Sequence, residues 1–330
     1  MNITVIGAGG WGTALAIQAM KRNNVKIWSF LKEEADLFRE KKENVYYLPG
    51  VPLPDSLDIT CDAQYAVKDA DILLFVPPSK FFRSVAKQFA SIAPKHAVLV
   101  SATKGIEYPS ERRMTQILAE VFPDNKRIVA LSGPTHAEEV ARNIPTSIVS
   151  ASADEDAAML VQEAFSTDSL RVYTNDDCVG VELSAAVKNV IAIAAGIMRG
   201  LGFGDNTMAA LITRGLAEMK RLGVQLGAKP ETYSGLAGVG DLIVTCISKH
   251  SRNGRVGEAL AQGKKIDEIL AGTKMVAEGV ETVKSLLKYE EELGIEMPIS
   301  RAVYDVIYNG LDPMEGVKLL MGRPLKNEHA

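Results

Sequence analysis

At 330 residues the chain is long enough for about two domains, and its 47% hydrophobic and 24% charged residues are those of an ordinary globular protein. A formal net charge of −4, with no long basic block, argues against a nucleic-acid binder. Cys61, Cys178 and Cys246 lie far apart, suggest neither a disulfide framework nor a zinc site, and fit small buried side chains in a reducing cytosol. No signal-peptide pattern opens the sequence, and no uninterrupted apolar run is long enough to span a bilayer, the nearest being Val190 to Met198. A cytoplasmic protein without a membrane span is therefore expected.

The chain opens on Asn2-Ile3-Thr4-Val5-Ile6, which reads as a strand, followed by Gly7-Ala8-Gly9-Gly10-Trp11-Gly12 and a helix from Trp11 to Arg22. Gly7, Gly9 and Gly12 have the G-x-G-x-x-G spacing. In a dinucleotide site the first glycine permits the tight turn, the second admits a pyrophosphate against the backbone, and the third lets helix and strand pack closely. The anion would rest on free N–H groups at the positive end of the helix. Val25 to Trp28 forms the second strand. In a Rossmann unit an acid after this strand binds the adenosine ribose; here Ser29-Phe30-Leu31-Lys32 stands there, with Glu33 and Glu34 just beyond. Missing that acid and having Lys32 nearby favours NADP or tolerance of both dinucleotides, although Lys32 reads equally well as a solvated residue at a helix start.

A charged helix follows over Glu33 to Lys42. The proline-rich loop from Tyr46 to Pro54 carries Tyr47, which either covers the cofactor or anchors the loop. Further strands are expected over 57–60, 71–76, 97–101, 128–131, 146–151 and 170–173, and helices over 62–68, 81–93, 110–121 and 155–165. The apolar run Asp71 to Val76 is typical of a buried parallel strand. It ends in Pro77-Pro78-Ser79, at the strand end where open α/β sheets bind ligands. Lys104 follows the next strand and is either a cation facing the crevice or an exposed loop lysine. After the strand over 128–131 comes Ser132-Gly133-Pro134-Thr135-His136-Ala137-Glu138, with Thr135 and Glu138 at capping-box spacing. His136 is more naturally structural than catalytic. Strand–helix alternation stops near Asp176. Helices are then expected over 178–198, 206–222, 236–247, 253–262, 266–271, 278–293, 298–308 and 314–320, with a loose tail from Lys326.

Three stretches of this helical half carry chemistry. Leu183 to Met198 is apolar nearly all round, so its helix should be buried, yet Lys188 and Asn189 sit in its middle. A buried ammonium needs a carboxylate, a pocket or a ligand, and desolvation makes it a usable general acid/base; the alternative is a lysine snorkelling to the surface. Asp241, among glycines and aliphatics, is the obvious partner for Lys188, with Thr245 at i+4. Lys249 to Arg255 is dense in donors. Ser251 can cap the helix that follows, while Arg252 and Asn253 can grip a phosphate at its positive end.

These motifs together resemble bacterial-type NAD(P)-dependent glycerol-3-phosphate dehydrogenase, and the resemblance runs over nearly the whole chain. Its carriers are Gly7 to Ala14, Ala102-Thr103-Lys104-Gly105, Ser132 to Ala137, Val187-Lys188-Asn189, Gly238 to Leu242 and Ser251-Arg252-Asn253. The resemblance implies an α/β fold: an N-terminal Rossmann-like dinucleotide-binding domain over 1–176, then an all-α substrate-binding and catalytic domain over 177–330 of the 6-phosphogluconate dehydrogenase C-terminal-like kind. It implies Lys188 as proton donor and acceptor, assisted by Lys104 and Asp241. Lys104, Gly133, Thr135, Asn189, Asp241, Ser251, Arg252 and Asn253 would form the substrate pocket. Gly10, Trp11, Ala137, Val276, Glu278 and Arg252 would touch the cofactor, and Phe30, Leu31, Tyr47 and Lys104 stand at further positions assigned to it. Family members usually carry His or Arg where Phe30 and Leu31 stand, and Ala-Leu-Lys-Asn where this chain has Ala186-Val187-Lys188-Asn189.

The expected reaction is the reversible reduction of dihydroxyacetone phosphate by NADH or NADPH to sn-glycerol 3-phosphate, which supplies the backbone of phospholipids. A homodimer is expected. The rivals are a two-domain hydroxyacid or ketopantoate-type reductase and a non-catalytic NAD(P)H sensor.

Overall fold

Ile72–Phe75 and Val98–Ser101 are buried along their whole length, as strands covered on both faces must be. The computed structural model, which describes residues 1–272 and 276–328, places them at the centre of one eight-stranded sheet. Its strands are β1 (Asn2–Ile6), β2 (Asn24–Trp28), β3 (Asp58–Thr60), β4 (Ile72–Phe75), β5 (Val98–Ser101), β6 (Ile128–Ser132), β7 (Thr146–Ala151) and β8 (Leu170–Asn175). Their order is β3-β2-β1-β4-β5-β6-β7-β8. The first six have the 3-2-1-4-5-6 order of a dinucleotide-binding sheet and are parallel; β7 runs antiparallel to β6 and parallel to β8.

Helices cover both faces: α1 (Gly10–Ala19), α2 (Lys32–Lys41), α3 (Ala63–Val67), α4 (Ser79–Phe89), α5 (Met114–Val121), α6 (Ala137–Ala141) and α7 (Glu155–Phe165). One apolar cluster, with Val5, Ile27, Leu74 and Val100, lies on one face of the sheet, and a second, with Ile6, Leu73, Phe75 and Leu99, on the other. Period-2 alternation within each strand divides them.

After β8 the chain is helical: α8 (Cys178–Gly200), α9 (Asp205–Gln225), α10 (Asp241–Ile247), α11 (Arg252–Ala261), α12 (Ile266–Ala271), α13 (Glu278–Leu293), α14 (Pro298–Tyr308) and α15 (Pro313–Met321). Asp177 caps α8 by accepting the Gly180 N–H at 2.8 Å. α8 is buried from Gly180 to Met198 and is the axis around which the other helices pack. Its mean hydropathy of 1.6 and 23 residues would suffice to cross a membrane, but 89% of that stretch is buried inside the fold, the pattern of a core helix.

Four expected elements differ. The helix expected over 110–121 starts only at Met114, because Glu111 holds φ +54°, which no helix accommodates. The helix expected over 81–93 is α4, shifted to Ser79–Phe89. The run 236–247 divides into a π-turn over Leu236–Gly240 and α10, with Gly238 non-helical at the join. Thr135 and Glu138 make no capping box: α6 begins at Ala137 with His136 as its N-cap, one position too late for Thr135 to serve. Of the tail expected to be loose, the described residues are held: Lys326 Nζ stands 3.4 Å from Glu296, and Arg214 donates to the Glu328 carbonyl at 2.8 Å.

Candidate active site

Where the strand order reverses between β1 and β4, a cleft of ≈ 630 Å³ opens at the C-terminal edge of the sheet, and the helical half forms its far wall. Open α/β sheets bind ligands at such a switch point. The glycine loop follows from local sterics. Gly7 turns out of β1 with φ +121°, a conformation costly to any residue with a Cβ. A Cβ on Gly12 would overlap the Gly7 carbonyl oxygen, so helix and strand meet only because it is absent. Gly9 has no heavy atom within 4 Å of its Cβ position and no side chain caps α1, so the first helical N–H groups are left for a ligand. Trp11 Nε1 is buried without a hydrogen-bond partner. A backbone cradle with unclaimed donors fits the pyrophosphate of a dinucleotide.

Phe30, Leu31, Glu34 and Tyr47 line the cleft at the end of β2. Lys32 does not: it is exposed at the outer start of α2, because Glu34, two residues on and about half a turn round the helix, is carried toward the cleft instead. Tyr47 Oη donates to Glu34 Oε1 at 2.9 Å, and burial with that bond pushes the phenol up to about 12. The Tyr47 carbonyl also backs Gly10, where any Cβ would collide with it.

At the other end two lysines share one carboxylate. Lys188 Nζ, from the middle of α8, lies 2.9 Å from Asp241 Oδ1, and Lys104 Nζ 3.0 Å from Asp241 Oδ2. Asp241 is fully buried beneath them and does not itself line the cleft. Lys104 spends its remaining protons on the Gly133 carbonyl at 2.8 Å and Thr135 Oγ1 at 3.1 Å. Gly133 enters the site only through that carbonyl. Lys188 donates to Thr245 Oγ1 at 2.6 Å, and Thr245 in turn donates to the Asp241 carbonyl. An ammonium has three protons, so Lys104 is saturated and Lys188 keeps one. Burial, opposed by Asp241 and reinforced by Lys188, holds Lys104 down at about 8. Two cations against one anion leave this end positive. His136 lies at the rim with its Nε2 3.4 Å from the Val244 carbonyl, and burial followed by the Lys188 charge lowers its pKa.

The helical wall is built by close helix contact. A Cβ on Gly257 would strike the Ile193 carbonyl, and one on Gly196 the Gly254 carbonyl, so α11 lies directly on α8. This brings Asn253 Nδ2 to Asn189 Oδ1 at 3.0 Å, while Asn253 Oδ1 accepts the Gly279 N–H at 3.0 Å. Asn189 Nδ2 donates to the Lys104 and Ala185 carbonyls. Ser251 caps α11 by accepting the Gly254 N–H. These three polar side chains line the cleft but are engaged in holding its wall. Arg252 is different. Burial lowers its pKa, one guanidinium nitrogen stands 3.6 Å from the Gly10 Cβ position, and among the described residues no carboxylate lies within ion-pair distance of it. A half-buried cation left open is an anion site.

Glu278, Val276 and Ala137 complete the lining. The Glu278 carboxylate accepts the Ser79 N–H at 3.0 Å and the Ser79 hydroxyl, which ties α13 to the start of α4 across the cleft. Burial pushes its pKa up. Glu34 and Phe81 are among the lining residues to which the chain order gave no role, and Ser79 stands just behind the lining. The Pro-Pro-Ser turn after β4 marked the place for Ser79, but nothing in the chain marked Glu278 as its partner.

A Rossmann cleft closed by a helical wall, with one lysine from each half meeting a buried aspartate at their junction, defines a two-domain NAD(P)-dependent oxidoreductase. Comparison with known proteins narrows the class. The family profile described as NAD-dependent glycerol-3-phosphate dehydrogenase N-terminus matches residues 2–158, and the corresponding C-terminus profile residues 177–318. The chain is 47% identical to glycerol-3-phosphate dehydrogenase [NAD(P)+] of Enterococcus faecalis, over 99% of this chain and 97% of that one. It is 48% identical to the protein of the same name from Pelotomaculum thermopropionicum, over 99% and 95%. The solved structure of glycerol-3-phosphate dehydrogenase from Coxiella burnetii superposes with a TM-score of 0.93 at 37% identity, covering 98% of this chain and 99% of that one. The chain belongs to the NAD-dependent glycerol-3-phosphate dehydrogenase family.

Proposed function

We propose that the protein catalyses the reversible reduction of dihydroxyacetone phosphate by NADH or NADPH to sn-glycerol 3-phosphate, with residues 1–176 as the dinucleotide half and 177–330 as the catalytic half. The observation that carries the chemistry is the unequal use of the two lysines on Asp241. Lys188 alone retains a free ammonium proton beside the cleft.

The bound dinucleotide supplies the hydride that arrives at C2 of the ketone. As charge develops on the C2 oxygen, Lys188 delivers its free proton there; in the reverse direction it takes the proton back. Lys104 contributes fixed positive charge, and Asp241 and Thr245 hold both ammoniums in place without reorganisation during the reaction. Arg252 takes the substrate phosphate, its planar fork matched to two oxygens, or the nearby pyrophosphate, since it faces Gly10. Asn189, Ser251 and Asn253 keep this wall aligned; both Asn189 amide protons are spent on carbonyls, while Ser251 and Asn253 each retain a donor for an oxygen. Gly133 and Thr135 fix Lys104.

A phosphate-bearing substrate agrees with the positive end of the cleft, and the dehydrogenase relatives favour this reading over a ketopantoate-type reductase or an NAD(P)H sensor. The same reading carries a homodimer and a reducing, cytoplasmic setting, which the free cysteines suit. The deciding experiment is oxidation of NADH and NADPH by the purified protein with dihydroxyacetone phosphate, ketopantoate and glyoxylate in parallel. Turnover confined to the phosphate ester supports the reading; turnover with a keto acid alone would replace it.

A further inference from the structure

We propose that this protein selects NADH over NADPH and that Glu34 makes the selection by meeting the adenosine ribose. The inference rests on the dinucleotide reading of the cleft and adds which dinucleotide it is built for.

The chain after β2 offers no acid in the immediate register, and Lys32 is the first charge in sequence. The fold reverses that order. Leu31 is the N-cap of α2, so Lys32 leaves outward, and Glu34, in the first helical turn, comes round to the cleft beside Phe30 and Leu31. Tyr47, on the loop that backs the glycine turn, donates to one Glu34 oxygen at 2.9 Å. The carboxylate is thereby held in place while its second oxygen, which accepts no hydrogen bond among the described residues, is free to accept from a ribose hydroxyl. A carboxylate at the end of β2 accepts from the 2′-hydroxyl of NADH and repels the 2′-phosphate of NADPH.

Among the described residues, the cations that line the cleft are Lys104, Lys188 and Arg252, and none of them forms an ion pair with Glu34. Lys32 and Lys80 are exposed and line no part of the cleft. Lys104 and Lys188 are committed to Asp241, and Arg252 stands 3.6 Å from the Gly10 Cβ position, where its charge reaches Tyr47 but makes no ion pair with Glu34. Two large aromatic rings also line the cleft. Phe30 is 71% exposed and Phe81 51%, both facing the cleft, an exposure of large rings that suits stacking with a purine.

The test is fluorescence titration of the full chain with NADH and with NADPH, alongside initial rates with dihydroxyacetone phosphate. We expect NADPH to bind about tenfold or more weakly than NADH, the scale of an uncompensated like-charge contact. Glu34→Gln keeps an acceptor for Tyr47 and should bring the two dissociation constants together; Glu34→Lys should favour NADPH. Tyr47→Phe removes the hydrogen bond but not the charge, so discrimination should persist if Glu34 acts on the ribose, and vanish if it serves only to anchor the loop. Equal or tighter NADPH binding by the unaltered protein overturns the proposal, as does a ratio unmoved by Glu34→Gln. Binding of neither dinucleotide would overturn the cofactor reading itself.

Discussion

Lys188 Nζ and Asp241 Oδ1 stand 2.9 Å apart, joining the middle of the most buried helix to the first residue of α10. The contact solves an energetic problem that α8 creates, since an ammonium within an apolar helix is tolerable only when paired. Because Asp241 also receives Lys104, the pair is stable and still net positive, the condition a developing alkoxide requires.

Removing the proton donor should separate chemistry from binding. Lys188→Ala is expected to lower kcat by about 10²-fold to 10⁴-fold, with the dissociation constant for the reduced dinucleotide changed by less than about threefold. Single-turnover kinetics and fluorescence titration check the two halves of that statement. Substantial remaining turnover would remove Lys188 from the mechanism.

Asp241→Asn leaves two buried ammoniums without their anion. Loss of one member of a buried pair costs about 3–5 kcal/mol, so thermal unfolding should move to markedly lower temperature. Asp241 also raises the Lys104 pKa. Its removal should shift any activity limb that belongs to Lys104 toward lower pH.

The Lys104 limb has a definite sign. Its pKa lies at about 8 against an ordinary 10.5, so the site loses one positive charge as pH rises through about 8. Forward kcat/KM for dihydroxyacetone phosphate should fall above that pH, and Lys104→Met should abolish the limb while lowering the plateau. Native Lys104 binds fewer protons than the unfolded chain between about 8 and 10.5, so its contribution to stability increases across that window. A rate profile flat to pH 9.5 would rule out the role.

Arg252→Ala should raise the KM for dihydroxyacetone phosphate by about 10-fold to 100-fold, the worth of a charge-assisted contact to an anion. Measuring the dinucleotide dissociation constant in the same variant tells substrate phosphate from pyrophosphate: an unchanged KM with weakened dinucleotide binding assigns Arg252 to the glycine loop.

Away from the cleft, Glu218 is buried and accepts the Ile299 and Ser300 N–H groups at the start of α14, at 2.6 and 3.2 Å. Burial pushes it up to about 7 from an ordinary 4.5, against the pull of those bonds. The native state therefore holds the proton more tightly. The stability this contributes is complete below about 4.5 and is lost as pH rises to about 7. Glu218→Gln should flatten that slope in urea unfolding measured from pH 4.5 to 8, and an unchanged slope would remove Glu218 as its source.

What the chain order determines by itself is local. The glycine spacing after β1, the apolar runs of β4 and β5, and the all-round apolar character of 183–198 are each legible because sterics and periodicity act over a few residues. They were enough for the α/β half, the helical half and the buried lysine. Where the local signal misled, at Glu111 and at Thr135, a single backbone angle or a one-residue shift of a helix start was decisive. Tertiary structure alone decided which polar atoms are spent and which are free. It saturates Lys104 and spares Lys188, engages Asn253 and leaves Arg252 open, pairs Glu278 with Ser79, and turns Glu34 rather than Lys32 toward the cleft. The physical reason is that hydrogen-bonding capacity is exhausted by neighbours brought together in space, and burial sets both the cost and the sign of each charge.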